Sequence, residues 1–292
     1  MTIQIQNQDL TVLVDEKGAE LLSIKNQSSD LEYLWQGDNT YWGRTAPVLF
    51  PIVGRLKNDH YELEGQIYTM GQHGFARDCL FEVTSQSDSK VSLCLTSNPS
   101  IKLMYPYDFR LTITYTLEEN TIDITYFVEN LNKKETMYFS IGAHPGFNVP
   151  LTNDTKFEDY YLTFSPKQIR TQIPLSGPYL DTLNKQQVST NTNINLNRSL
   201  FDIDALIYET VNKNTISIQC DKTDHFISVT FEDFPYVGIW SPPQKDAPFV
   251  CIEPWFGIAD EVTTSGLLKE KLGIQSLEPS ASFTSRYLIT LN

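Results

Sequence analysis

The sequence predicts an all-β fold, and three observations predict it. Apolar and polar residues alternate at period two through many short runs. Clusters of Asn, Asp, Gly, Pro and Ser separate these runs at fairly even spacing. Helical runs of about a dozen residues, which an α/β fold needs between its strands, are missing. The chain has 292 residues, 40% of them hydrophobic and 20% charged, so it can build a packed core. It shows no repeat, low-complexity tail or linker. All-β domains reach ~250 residues, so one slightly larger domain over residues 1–292 is the simplest organisation.

Taken in order, strands are expected at 10–14 and Lys90–Thr96. In 110–117, Leu111, Ile113, Tyr115 and Leu117 share one face while Thr112, Thr114 and Thr116 share the other. After Glu118-Glu119-Asn120 the alternation resumes with Ile122, Ile124, Tyr126 and Val128, which reads as a β-hairpin. Further strands are expected at 137–141, 215–220, 226–231, Tyr236–Trp240, 249–252 and 283–291. Only 257–272 has a helical look, and Gly266 interrupts it. The polar stretch 180–199 reads as a long surface excursion.

Composition excludes several partners. The 22 basic and 36 acidic residues give a net charge of −14. Such a surface repels phosphate backbones and anionic lipid, so neither nucleic acid nor membrane is an expected partner. The most apolar stretch, 46–54, is far shorter than the ~20 residues that span a bilayer. The opening residues lack a basic segment followed by an apolar one, so a cytoplasmic location is expected. Cys79, Cys94, Cys220 and Cys251 form no Cys-x-x-Cys pair and read as buried, reduced thiols.

The residues with chemical interest are few. His73 and His144 are flanked by glycines, which permit unusual backbone angles and close ligand approach. His144 also follows a strand and precedes Pro145, at the mouth of a sheet where small-molecule pockets form. His60 and His225 sit in polar surroundings and read as structural. Glu253 lies inside the apolar run FVCIEPWFG; a carboxylate carried inward there needs compensation. It is either half of a structural ion pair or a carboxylate held in a pocket beside Trp255, whose ring suits the apolar face of a sugar. Asp204 is a second acid in an apolar segment, although aspartate often caps a helical turn. Arg55 and Arg77 can bind a sugar hydroxyl or a phosphate through their planar forks, or pair with one of the many acids. Dinucleotide, P-loop, zincin and nucleophile-elbow motifs are missing. A His73/His144/Glu253 metal set has no two members close in sequence, and no metal is expected.

These residues fall into a familiar order. Gly54-Arg55-Leu56 is followed by Leu63-Glu64-Gly65, then HGFAR at 73–77, GAHPGF at 142–147, FDIDAL at 201–206 and EPW at 253–255. The chain resembles the aldose 1-epimerase (galactose mutarotase-like) family over its whole length. The resemblance implies a large antiparallel β-supersandwich with few short helices and a sugar cleft on a concave sheet face. It implies His144 as general acid and Glu253 as general base, with Arg55, His73 and Asp204 holding sugar hydroxyls. The histidine followed by GFAR resembles the hexose-6-phosphate 1-epimerase branch and implies a phosphate contact for Arg77. Anomer exchange removes the proton of the C1 hydroxyl and protonates the ring oxygen, so one acid and one base suffice and no cofactor is expected. Unperturbed values of ~4.3 for Glu and ~6.5 for His make Glu253 the base form at pH 7 and His144 about one-quarter protonated. A neighbouring carboxylate should raise His144 further.

Overall fold

The alternation at 110–128 forms the longest hairpin, Phe109–Glu118 against Thr121–Asn130. Its odd-numbered apolar positions 111–117 and even-numbered positions 122–128 are all buried. A lone hairpin is barely stable in water. Here Ser282–Leu291 pairs along one side and Lys90–Thr96 along the other. The result is a nine-stranded antiparallel sheet running Ile194–Asn195, Tyr160–Ser165, Lys213–Cys220, Ile227–Glu232, Ser282–Leu291, Thr121–Asn130, Phe109–Glu118, Lys90–Thr96 and Glu82–Gln86. The computed structural model describes residues 1–292.

A second sheet of eight strands runs Gln186–Ser189, Ile169–Ile173, Leu206–Glu209, Tyr236–Trp240, Phe249–Phe256, Ile141–Ala143 and Val48–Leu49, with Gly146–Asn148 also paired to Phe249–Phe256. Inward residues of both sheets, such as Ile113, Tyr126 and Ile289 from one and Val237, Val250 and Ile252 from the other, share one core of 67 buried side chains. Thr2–Gln6, Leu10–Asp15 and Leu21–Asn26 form a separate three-stranded sheet that joins the same core. The only α-helix is Pro99–Lys102, capped by the Asn98 side chain. This is a β-supersandwich with few short helices, as expected. No helix is long and apolar enough to cross a membrane.

Two expectations are corrected. The segment 257–272 is a loop containing only the 3₁₀ turn Leu268–Glu270. Gly257 and Gly266 take positive φ (107° and 82°), and backbone donors leave the segment: Asp260 N–H donates to Arg55 and Val262 N–H to Leu180. Those long-range bonds replace the local ladder a helix needs. The polar stretch 180–199 is not a free excursion. It supplies Gln186–Ser189 and Ile194–Asn195 as edge strands of the two large sheets. Polar composition there suits strands with one side open to water. All four cysteines are free; Cys220 and Cys251 are buried, but Cys79 and Cys94 are only half-buried.

Candidate active site

The strand Phe249–Phe256 is buried along its whole length. Alternation nevertheless divides it. Val250, Ile252 and Phe256 enter the shared core, whereas Phe249, Cys251 and Trp255 belong to clusters on the other face. Glu253 falls between Cys251 and Trp255 and therefore points to that second face. It lines a cleft of about 400 Å³ there.

The pairing register sets its partner. Ile141 pairs with Phe256, Gly142 with Trp255, and Gly146 with Cys251. The offset is the same on both sides of the 143–145 gap, so His144 stands opposite Glu253. Directly opposed side chains on one face are neighbours, and His144 Nε2 lies 3.3 Å from Glu253 Oε2. On the other flank Glu253 pairs with Gly238. The same row continues to Ile207 and Ile173. Of this row, His144, Glu253 and Ile207 line the cleft.

Gly238 and Gly142 have a steric task. A Cβ on Gly238 would lie 2.4 Å from the Trp255 ring, and one on Gly142 would lie 2.6 Å from its Cδ1. Both neighbouring strands therefore give up side chains so that the indole can lie between them. Trp42 stacks on His144 (centroids 4.7 Å apart, 26° between planes) and Trp240 meets it edge-on at 5.5 Å. His73 approaches His144 edge-on at 5.5 Å. Gly54 N–H donates to His73 Nδ1 at 3.1 Å. A neutral His73 therefore carries its hydrogen on Nε2, as a donor.

The pair is almost dry: His144 is 7% exposed and Glu253 1%. Burial lowers His144 to about 3, assisted by the nearby Arg77 charge. Burial and then the charge of Asp204 push Glu253 well above the usual carboxylate range, while the Trp255 side chain partly counters the rise. The Trp255 N–H makes no aligned hydrogen bond, and neither do Glu253 Oε2 and His144 Nδ1. Desolvation disfavours the charged form of both groups, and so opposes the rise of His144 that its neighbouring carboxylate would otherwise cause. Asp204 is raised as well, chiefly by burial, and its Oδ1 accepts from Ala205 N–H.

All seven residues singled out by sequence, Arg55, His73, Arg77, His144, Asp204, Glu253 and Trp255, line this one cleft. Arg55 Nη2 donates to Gln72 Oε1 at 3.2 Å and Arg77 Nη2 to the Gln72 carbonyl at 2.6 Å. The nearest carboxylate to the Arg77 guanidinium is Asp78, at 4.0 Å, and Arg55 forms no ion pair. Sequence reasoning missed Trp42, Trp240 and Gln72. Three of the four tryptophans, Trp42, Trp240 and Trp255, line the cleft. That concentration of a rare residue shows only once the fold has gathered it.

The fold and cleft define a β-supersandwich protein with a cleft built around the buried, facing side chains of His144 and Glu253. The chain belongs to the aldose 1-epimerase family, whose model matches residues 1–267. It is similar to the chromosomal protein LacX of Lactococcus lactis subsp. lactis, 34% identical over all of this chain and 99% of that one. Among solved structures it is similar to a galactose mutarotase related enzyme from Lactobacillus acidophilus (40% identity, TM-score 0.98, 100% and 97% of the two chains). It is also similar to a galactose mutarotase-like protein from Lactobacillus casei (34% identity, TM-score 0.93, both chains covered fully).

Proposed function

We propose that this protein is an aldose 1-epimerase that interconverts the α and β anomers of a hexose by ring opening and closure. The observation that carries the reading is the His144–Glu253 pair, 3.3 Å apart on the floor of the cleft. The cleft volume falls within the ~300–1,000 Å³ common for small-molecule sites.

Burial favours the neutral forms of both groups. Transfer from carboxyl to imidazole turns two neutral groups into an ion pair without changing net charge. A bound sugar favours that transfer, because its hydroxyls hydrogen-bond the carboxylate. Glu253 then takes the proton of the C1 hydroxyl while His144 protonates the ring oxygen. The C1–O5 bond breaks as the carbonyl forms. After rotation about C1–C2, closure on the other carbonyl face runs the same transfers in reverse. Arg55, His73 and Asp204 hold the remaining hydroxyls, and Trp255 covers an apolar sugar face. Each positioned acid or base contributes typically 10²–10⁴-fold.

The test follows anomer exchange by polarimetry, with the solvent rate subtracted. Glu253→Gln is expected to fold normally and lose nearly all activity. Retention of more than about a tenth of the wild-type rate, against the loss such a group normally causes, removes Glu253 from its role. A wild-type protein that binds sugar without accelerating exchange would be a carbohydrate-binding module on the same scaffold.

A second reading, that the hexose is phosphorylated, is favoured by one observation. Arg55 and Arg77 both line the cleft, and no carboxylate lies closer than 4.0 Å to the Arg77 guanidinium. The chemistry at C1 is the same in both readings.

A further inference from the structure

The proposed reaction leaves one nearby group without a task. The Cys251 thiol faces the same side of its strand as Glu253, two residues away, and is fully buried. One ligand atom from each of His144, Cys251 and Glu253 lies within 4.8 Å of the others. Some point is therefore within about 2.8 Å of all three (4.8 Å divided by √3), whereas zinc takes nitrogen, oxygen and sulfur ligands at ~2.0–2.3 Å. Closing that gap takes side-chain movements of at most about 0.5–0.8 Å.

The donor set is unusual for so small a space. Imidazole, thiolate and carboxylate together suit a borderline-soft divalent cation and match neither calcium nor magnesium, which prefer all-oxygen sites. Glu253 Oε2, 3.3 Å from His144 Nε2, is buried without an aligned hydrogen-bond partner. A buried polar atom in that state gains from any ligand that satisfies it. Two of the three residues line the cleft, so an ion has a way in and its fourth position opens to water or a sugar hydroxyl.

We propose that His144, Cys251 and Glu253 form a site for a thiophilic divalent cation, typified by Zn²⁺, whose binding switches the enzyme off. Coordination displaces the carboxyl proton of Glu253 and the thiol proton of Cys251, while the imidazole enters neutral. Nothing is oxidised or reduced. The acid and base are then both occupied, and sugar and ion exclude each other. The inhibitory consequence rests on the epimerase reading; the site itself does not.

Cobalt(II) tests the site without any sugar. Added to the chelator-stripped protein, it is expected to bind one equivalent and give a thiolate-to-cobalt absorption in the near ultraviolet. Cys251→Ala and Cys251→Ser are both expected to abolish that band, and Zn²⁺ to displace it from the wild type, as the affinity order requires. In the activity assay Zn²⁺ should slow anomer exchange and a chelator restore it. The zinc concentration for half inhibition should rise more than about tenfold in either Cys251 variant, whose metal-free rate stays near wild type. No band in the wild type, or a band that survives in both variants because Cys79, Cys94 or Cys220 supplies it, overturns the site. A protein with the band but no epimerase activity keeps the site and loses the proposed function.

Discussion

Burial disfavours the charged forms of both Glu253 and His144. An exposed histidine titrates near ~6.5, so an enzyme relying on it changes rate between pH 5 and 7. Here the imidazole is lowered to about 3 and the carboxyl is raised, both mainly by desolvation. The carboxyl therefore releases its proton above the usual carboxylate range, and the imidazole gains one only near pH 3. These limits belong to the pair rather than to either residue. The expected profile of kcat/KM, corrected for the solvent rate, has its acid limb far below the ~6.5 of a free imidazole. A limb centred between pH 6 and 7 would show that His144 titrates as a solvated histidine and that the buried pair is not the working unit. His73, His144, Asp204 and Glu253 were legible in the sequence because their surroundings stand out (an acid in an apolar run, a histidine near glycines), whereas Arg55, Arg77 and Trp255 were picked out by their neighbours and the family resemblance. Their protonation was not legible, because desolvation is a property of everything packed around them.

The loop 257–272 is the element that sequence periodicity misread, and its actual construction bears on the cleft. Lys271 Nζ and Asp260 Oδ1 lie 2.7 Å apart with 2% and 3% of their side chains exposed. Asp260 Oδ2 also accepts from Lys57 N–H at 2.8 Å, and Asp260 N–H donates to the Arg55 carbonyl at 2.9 Å. The peptide that carries Arg55 is thus held on both sides by one residue. Lys271 neutralises the charge that this arrangement buries, while burial pulls its own pKa down. Removing one member of such a pair leaves an uncompensated charge and costs about 3–5 kcal/mol. Lys271→Met is therefore expected to lower stability by about that amount in urea titrations and to raise KM through a loosened Arg55. Asp260→Asn with Lys271→Met removes both charges and keeps an acceptor for Lys57 N–H, so it should recover most of the loss. Equal damage from the single and double variants would mean that volume, not charge, is what Lys271 supplies. Strands such as Lys90–Thr96 were legible end to end because the alternation of Val91, Leu93 and Leu95 with Ser92 and Cys94 is local. The loop was not, because an apolar pattern cannot reveal that a carboxylate finds its partners some 200 positions earlier in the chain.

Across the whole molecule, the chain carries a net charge of −14 yet places Arg55 and Arg77 in its cleft. The all-β class was readable from alternation and turn spacing, while the supersandwich came with the family resemblance. The meeting of segments near residues 55, 75, 144, 204 and 253 was readable only through family resemblance, since non-local pairing leaves no local trace. The charge contrast bears directly on substrate choice. An acidic surface repels a sugar phosphate in bulk solution, so such a substrate needs a local cationic site to overcome that field. Arg77 is well placed for this: its Nε is buried without a partner, and both burial and the Arg44 charge disfavour its protonated form, so an anion alongside would relieve it. If the natural substrate is phosphorylated, Arg77→Ala should raise KM for glucose 6-phosphate at least about tenfold, the loss of one charge-assisted bidentate contact of ~1.5–3 kcal/mol. KM for glucose and galactose should change less than about twofold, because neutral hydroxyls gain little from a full charge. Raising salt from 50 to 200 mM should weaken the phosphorylated substrate selectively in the wild type, since screening acts on charge. Equal effects of Arg77→Ala on all three sugars would place the guanidinium against a hydroxyl common to them and remove the phosphate from the reading, while leaving the acid–base pair and its chemistry untouched.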